Sequence, residues 1–267
     1  MPSKSRYAKL IEHIFLARYK VGMQEVPFER SDIESAAQEL GVVLPKNLGD
    51  VIYSFRYRRS MPEAIVARAP GGMCWIIRAG GPSRYRFVAV RSADIAPNPM
   101  LETIKIPDAT PGVITRYALS DEQALLARLR YNRLVDIFTR VACYSLQSHL
   151  RTTVPDMGQV ETDEVYVGVD RRGAHYVFPL QAKGGRDVLS VVQIEQDIAM
   201  CSDKFPDLIC RPLAAQFLAG EVIAMFELTD TDEGVVVVSE KHYRLVPPSD
   251  LTPEELLSYR RRPDEGQ

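Results

Sequence analysis

Apolar residues in the first ninety positions recur at helical spacing and then at strand spacing. Leu10, Ile14 and their neighbours share one face of a predicted first helix. Ser31 and Glu34 have the spacing of a capping box that starts a second helix, and Gly41 supplies its end. The predicted elements are helices over 5–19, 32–40 and 45–58, strands over 73–79 and 84–90, and a turn over 80–83.

From position 120 onward the pattern predicts a mixed β-sheet flanked by helices. A broad apolar face indicates a long helix from about Ser120 to Leu150, and a β-hairpin follows it. Four prolines and little periodicity between 92 and 119 are typical of a linker. The later predicted elements are strands over 159–169 and 176–183, a helix over 187–205, and strands over 208–218, 221–228 and 234–247.

Charge is distributed unevenly along the 267 residues, although the net charge is only −2. Residues 1–91 hold 15 Lys or Arg against 8 Asp or Glu, and the remainder holds 18 against 27. A basic N-terminal third is typical of a part that binds a polyanion. We therefore predict three segments, namely a DNA-binding domain over 1–91, a linker over 92–119 and a second domain over 120–267.

The order of the N-terminal elements, three helices followed by a hairpin, is that of a winged helix. In such a module a recognition helix enters the major groove and cations contact the phosphates. A winged helix that binds protein, or a small α+β packing domain with solvated arginines, are the alternatives. The residues predicted to bind DNA are Lys46, Asn47, Arg56, Arg58, Arg84 and Arg86.

The hairpin over 159–183 gathers polar residues on two strands that are otherwise apolar. Alternate side chains of a strand share a face, so Glu161 and Asp163 point one way, as do Gln181 and Lys183. Carboxylate and amide oxygens suit Mg²⁺, and a nearby lysine can stabilise charge on a phosphate. The alternative is a solvated strand edge whose acids pair with Lys183 or nearby arginines.

This arrangement resembles the PD-(D/E)XK nuclease superfamily, the restriction-endonuclease-like group. The resemblance lies in Asp163, then Gln181-Ala182-Lys183, then glycine and a helix. It implies that Asp163 and Gln181 bind metal, that Lys183 assists catalysis and that Glu161 or Glu164 supplements the metal site. Gln181 replaces the acid of the tripeptide and Thr162 replaces the usual proline, and we expect Gln181→Glu to preserve or raise activity.

The sequence thus predicts an α+β or α/β chain with an N-terminal winged helix followed by a restriction-endonuclease-like core. The predicted function is a Mg²⁺-dependent DNA endonuclease of the type II restriction kind, with Mn²⁺ as a possible substitute. Cutting both strands of duplex DNA needs two sites, which favours a homodimer. No apolar run reaches the roughly 20 residues that span a bilayer, so we expect a cytoplasmic protein with no membrane partner. The alternative function is a non-catalytic DNA-binding regulator, or a subunit of a defence complex, with a degenerate nuclease core.

Overall fold

The computed structural model describes residues 5–117, 121–184, 187–232 and 234–262. Its N-terminal part is a three-stranded antiparallel sheet packed with helices, in the strand order β1-β3-β2. The elements in chain order are α1 (Arg6–Arg18), β1 (Glu25–Glu29), α2 (Arg30–Leu40), α3 (Gly49–Tyr57), α4 (Glu63–Val66), β2 (Cys74–Ala79) and β3 (Arg84–Val90).

An aromatic cluster holds this N-terminal part together. The ring of Phe15 on α1 lies 5.1 Å from the rings of both Trp75 and Phe87, edge to face in each pair. Phe28 stacks on Phe87 at 4.7 Å. Fully buried aromatic rings supply large apolar areas and prefer these geometries. The apolar stripe predicted for the first helix is therefore confirmed as its core-facing side.

Two N-terminal boundaries differ from the prediction. Glu29, rather than Ser31, is the N-cap of α2, and the capping box pairs it with Asp32. The predicted third helix begins only at Gly49, because the Asn47 side chain accepts the Gly49 N–H at 3.1 Å before the helix. The strand β1 was missed, since Pro27 interrupts a run of only five residues whose pairing with β3 buries Val26.

The C-terminal part is the predicted mixed sheet flanked by helices. Its strand order is β5-β13-β12-β11-β8-β7-β6, with β10 also paired to β8. The strands β5 and β13, and β11 and β8, run parallel, and the other neighbours in this order run antiparallel. The strands are β5 (Thr103–Pro107), β6 (Ala142–Val154), β7 (Gly158–Val169), β8 (His175–Lys183), β10 (Ile209–Cys210), β11 (Leu213–Leu218), β12 (Val222–Thr231) and β13 (Gly234–Val246).

Helices cover both faces of this sheet. The helices α6 (Asp121–Tyr131) and α7 (Leu134–Thr139) pack on one face, where Leu125 and Leu134 join Phe178 in the larger core. The helix α8 (Val191–Lys204) packs on the other face, with Ile194 against Phe226. The described chain ends in α9 (Pro253–Arg261).

The long helix predicted from Ser120 to Leu150 is wrong beyond residue 139. Arg133 and Arg140 have φ angles of 52° and 58°, in the left-handed region that interrupts a right-handed helix. The chain then forms β6, whose pairing with β7 overrides the helical spacing of its leucines. The start of the prediction, Ser120, lies outside the described residues. Among the described helices, none has the length and apolarity needed to cross a membrane.

The segment predicted as a linker contains strands that pair with other parts of the chain. Its strand β5 pairs with β13 at the end of the large sheet, and β4 (Asp94–Ile95) pairs with β9 (Leu189–Ser190) beside α8. The short α5 (Gly112–Tyr117) follows. The proline-rich segment between 92 and 119 thus forms short paired strands. Proline is tolerated there because an edge strand such as β5 loses few ladder hydrogen bonds to it.

Candidate active site

The open end of the hairpin formed by β7 and β8 places Asp163 beside the end of β8, which carries Lys183. Described pairing of the two strands stops at Glu164 opposite Leu180. Beyond that point the Asp163 carboxylate accepts the Ala182 N–H at 2.8 Å. A side chain thus replaces a backbone acceptor where the ladder ends, which fixes the Asp163 carboxylate between the ends of the strands.

A local irregularity in β7 accounts for the direction of Asp163. The ladder between β6 and β7 skips His149 and Asp163, and His149 has a φ of 49°. Thr162 hydrogen-bonds to α8, whereas Glu164 hydrogen-bonds to Arg130 on α6, although residues two apart on a regular strand share a face. The break in strand alternation at Asp163 redirects its side chain, whereas the register shift of this ladder lies between Ser145 and Gln147.

Lys183 lies beside two acids, one of which comes from α6. Its Nζ atom is 3.6 Å from Glu122 Oε1, and its side chain is 16% exposed. Burial, and then the charge of Asp163, raise the pKa of Glu122, while Lys183 lowers it. Burial also raises the pKa of Asp163, against the Ala182 N–H and Lys183. A cation would stabilise the ionised forms of both carboxyls, because burial disfavours them and the charge of Asp163 further disfavours that of Glu122.

Gln181 faces a buried acid on α8. Its Nε2 donates to both carboxylate oxygens of Asp197, at 3.1 and 2.9 Å, and to the Glu161 carbonyl at 3.2 Å. Its Oε1 accepts from Gln193 at 3.1 Å. Thr162 donates to Asp197 at 2.5 Å, and burial raises the pKa of that acid to about 7. Both the NH2 group and the carbonyl oxygen of the Gln181 side chain are therefore hydrogen-bonded within the protein.

The same contacts give a physical reason for glutamine at position 181. Asp197 is 0% exposed, so a carboxylate at 181 would bring a second buried negative charge within hydrogen-bond distance of it. Two carboxylates that close cannot both ionise, and one would have to bind a proton. Gln181→Glu is thus expected to lower stability at neutral pH, in contrast to the expectation from the family pattern.

Glu161 lies at the margin of the site. Its carboxylate is 44% exposed and pairs with Arg151 across β6 and β7 at 3.0 Å. Its charge contributes the smallest of the influences that raise the pKa of Asp163. An exposed pair of this kind contributes little to stability. The position leaves Glu161 close enough to influence Asp163 while its own carboxylate is held by an arginine.

The residues predicted to bind DNA fall into two groups. Exposed residues that precede or follow α3, or lie on β3, are Lys46, Asn47, Arg58, Arg84 and Arg86. Asn47 also donates to Asp50 at 2.9 Å, and Arg58 lies over the Tyr53 ring at 4.9 Å. Arg56 is only partly exposed, stacks on Tyr57 at 5.1 Å and lines a cavity against α8. Its guanidinium thus faces the C-terminal part.

The donor set that could hold a metal consists of Asp163 and Glu122. Within the described ranges, no group of three or more His, Cys, Asp or Glu residues is arranged as metal ligands. Mg²⁺ commonly uses one or two carboxylates and completes its coordination with water and substrate phosphate. The pair fits that requirement, because burial raises the pKa of both carboxyls and the charge of Asp163 further raises the pKa of Glu122.

Sequence reasoning missed Glu122, Thr162 and Asp197. Glu122 is 61 positions before Lys183, on a helix whose face toward β8 only the packing of α6 defines. Asp197 lies on α8 among polar residues, and no local spacing distinguishes the buried one. Comparison of the chain with protein-family models, with curated proteins and with solved structures returns no match.

Proposed function

We propose that the chain is a Mg²⁺-dependent DNA endonuclease that hydrolyses phosphodiester bonds in duplex DNA. The observation that carries the proposal is the position of Lys183 beside Glu122, with the Asp163 carboxylate fixed at the end of the adjacent strand. An ammonium group next to carboxylates that can bind a cation is a combination that supports phosphoryl hydrolysis. The restriction-like assignment rests on this site together with the resemblance of its residues.

In the proposed mechanism each side chain has a separate task. Asp163 and Glu122 would hold the cation, which would supply Lewis-acid stabilisation of the negative charge on the phosphate. Lys183 donates hydrogen bonds to the attacking water or to the phosphoryl oxygens as negative charge develops. Gln181 keeps the β8 strand anchored to Asp197 and so maintains the position of Lys183 two residues later.

We also propose that the N-terminal part is a winged helix that positions the duplex. Its order, α1-β1-α2-α3 followed by β2 and β3, and its three-stranded sheet match that module. The exposed Lys46, Asn47, Arg58 and Arg84 would contact the DNA, the arginines mainly through phosphates. Because a duplex has two strands to cut, the proposed working form is a homodimer.

Cleavage of plasmid DNA with Mg²⁺, Mn²⁺ or EDTA tests the proposal. Lys183→Ala and Asp163→Asn should each abolish cutting and leave DNA affinity within about twofold, since neither residue contacts the proposed DNA-binding surface. Lys204→Ala and Asp203→Asn are matched controls on the exposed end of α8 and should cut normally. Metal-independent cutting, or full activity in Lys183→Ala, would refute the assignment.

A second candidate is a DNA-binding regulator or defence-complex subunit whose nuclease core is inactive. The observation in its favour is that the Gln181 amide is engaged at both ends within the protein. Under this alternative, gel shifts would appear with duplex DNA while methylated and unmethylated plasmids stay intact with every metal. A protein that neither cuts nor binds DNA alone would favour the complex subunit.

A further inference from the structure

A small cavity lies between the N-terminal sheet and α8, and its lining includes none of Glu122, Asp163 and Lys183. Its volume is about 50 Å³, and it is lined by Arg56, Arg78, Arg86, Met157, Glu195 and Gln196. A single water needs roughly 10–15 Å³ measured in this way. The cavity therefore has room for a group with several oxygen atoms.

Two arginines face each other at this cavity. Arg78 on β2 lies directly opposite Arg86 on β3 in the antiparallel register. Like charges in that position repel each other and destabilise a sheet unless anions compensate them. Glu195 on α8 compensates Arg78, because both of its carboxylate oxygens accept hydrogen bonds from that guanidinium.

Arg86 has only a weak counter-charge. Glu25 lies 3.7 Å from it, and the two side chains are 53% and 44% exposed, so solvent screens the pair. The surplus positive charge at the cavity therefore comes from Arg86 and from Arg56. Because the Arg86 side chain is also partly exposed, it connects the cavity with solvent.

Two buried hydrogen-bond donors at the cavity have no acceptor. Arg56 Nε and Gln196 Nε2 are both buried and unpaired among the described residues. Gln196 is 4% exposed, and its Oε1 already accepts the Tyr57 hydroxyl at 2.7 Å, which leaves its amide donors for another partner. Buried N–H groups are normally satisfied, so each unsatisfied one indicates a missing acceptor.

We infer that this cavity binds a phosphate-type oxyanion. Its ligand must accept hydrogen bonds, carry negative charge and offer several oxygens, and a phosphate group meets all three requirements. The oxyanion would accept from Arg56 and Gln196 and neutralise Arg86. Either a free phosphate compound or a phosphate of a nucleic-acid backbone supplies this chemistry. The site does not depend on the proposed nuclease activity.

Calorimetric titration of the full chain with inorganic phosphate, at constant ionic strength and with EDTA present, tests the inference. One phosphate should bind per chain, and Arg56→Gln or Arg86→Gln should weaken binding at least about tenfold. Arg59→Gln and Arg18→Gln are matched controls on the N-terminal part, because these exposed arginines pair with Ser5 and Asp32 and do not line the cavity, so both variants should bind as the wild type does. Because Arg86 is partly exposed, Arg86→Gln tests the site even if Arg56→Gln does not fold.

A duplex without terminal phosphates separates the two sources. If the duplex displaces inorganic phosphate, the site takes a backbone phosphate; if both bind together, it takes a free phosphate compound. Absence of saturable phosphate binding in the wild-type chain would mean that water fills the cavity, and the inference would fail. Equal weakening in the control variants would also overturn it, since the effect would then reflect total charge.

Discussion

The strongest test of the buried polar network is the pH dependence of stability in Asp197→Asn. Asp197 is 0% exposed, its carboxylate accepts hydrogen bonds from Thr162 and Gln181, and no cationic side chain within the described ranges forms an ion pair with it. Burial raises its pKa from 3.8 to about 7, even though both hydrogen bonds oppose this rise. The folded state therefore binds a proton at pH values where the unfolded chain has lost it.

The sign of the effect follows from this difference. Below about pH 4 the carboxyl is protonated in both states, and above about pH 7 it is ionised in both. Between these values the folded state binds more protons, so stability falls as the pH rises. A difference of about three pH units corresponds to about 4 kcal/mol, which the wild type should lose between pH 4 and pH 8 through this group.

Urea unfolding of both proteins at pH 5 and pH 8 measures the effect. Asp197→Asn cannot ionise, so its stability should change less between the two pH values than that of the wild type. At pH 5 the variant should be about 1–3 kcal/mol less stable than the wild type. The reason is that the NH2 group of the new asparagine would face a hydrogen-bond donor, either the Gln181 amino group or the Thr162 hydroxyl. Asp203→Asn, on the exposed end of the same helix, is the matched control. An unchanged pH dependence in Asp197→Asn would refute the reasoning.

Three further changes test packing and pairing. Arg130→Met should cost about 3 kcal/mol or more in urea unfolding, since it removes the bidentate partner of Glu164, which is 0% exposed; a loss near zero would contradict this. Gly168→Ala should cost about 1–3 kcal/mol, because its Cβ would lie 2.7 Å from Val141 Cγ1; an unchanged melting temperature would contradict it. Phe226→Ala should cost about 3–5 kcal/mol by calorimetry, since the ring is fully buried; a smaller loss would mean that the core collapses around it.

The sequence by itself determined most helices and strands, and it identified Asp163, Gln181 and Lys183 among the residues of the candidate site. Periodic apolar residues fixed β2, β3, β7, β8 and the body of α8, since local alternation and turn residues suffice for them. The spacing from Gln181 to Lys183 and the acid at Asp163 also came from sequence alone. These features depend on residues that are neighbours along the chain, or are joined through a short hairpin.

The tertiary structure alone decided how the polar residues are grouped. Strand alternation placed Asp163 on the same face as Glu161, but the ladder with β6 skips His149 and Asp163, which interrupts the alternation of β7 at that point. Pairing also turned residues 142–154 into a strand, because cross-strand contacts outweigh helical propensity.

Long-range packing also divided the roles of Gln181 and Lys183. The structure brings Asp197 to Gln181 from α8 and Glu122 to Lys183 from α6, on elements that local pattern cannot orient. The physical reason is that burial, and hence pKa and hydrogen-bond demand, depends on contacts between residues distant in sequence. Only those contacts show that Gln181 donates hydrogen bonds to the buried Asp197, whereas Lys183 lies beside the carboxylates of Asp163 and Glu122.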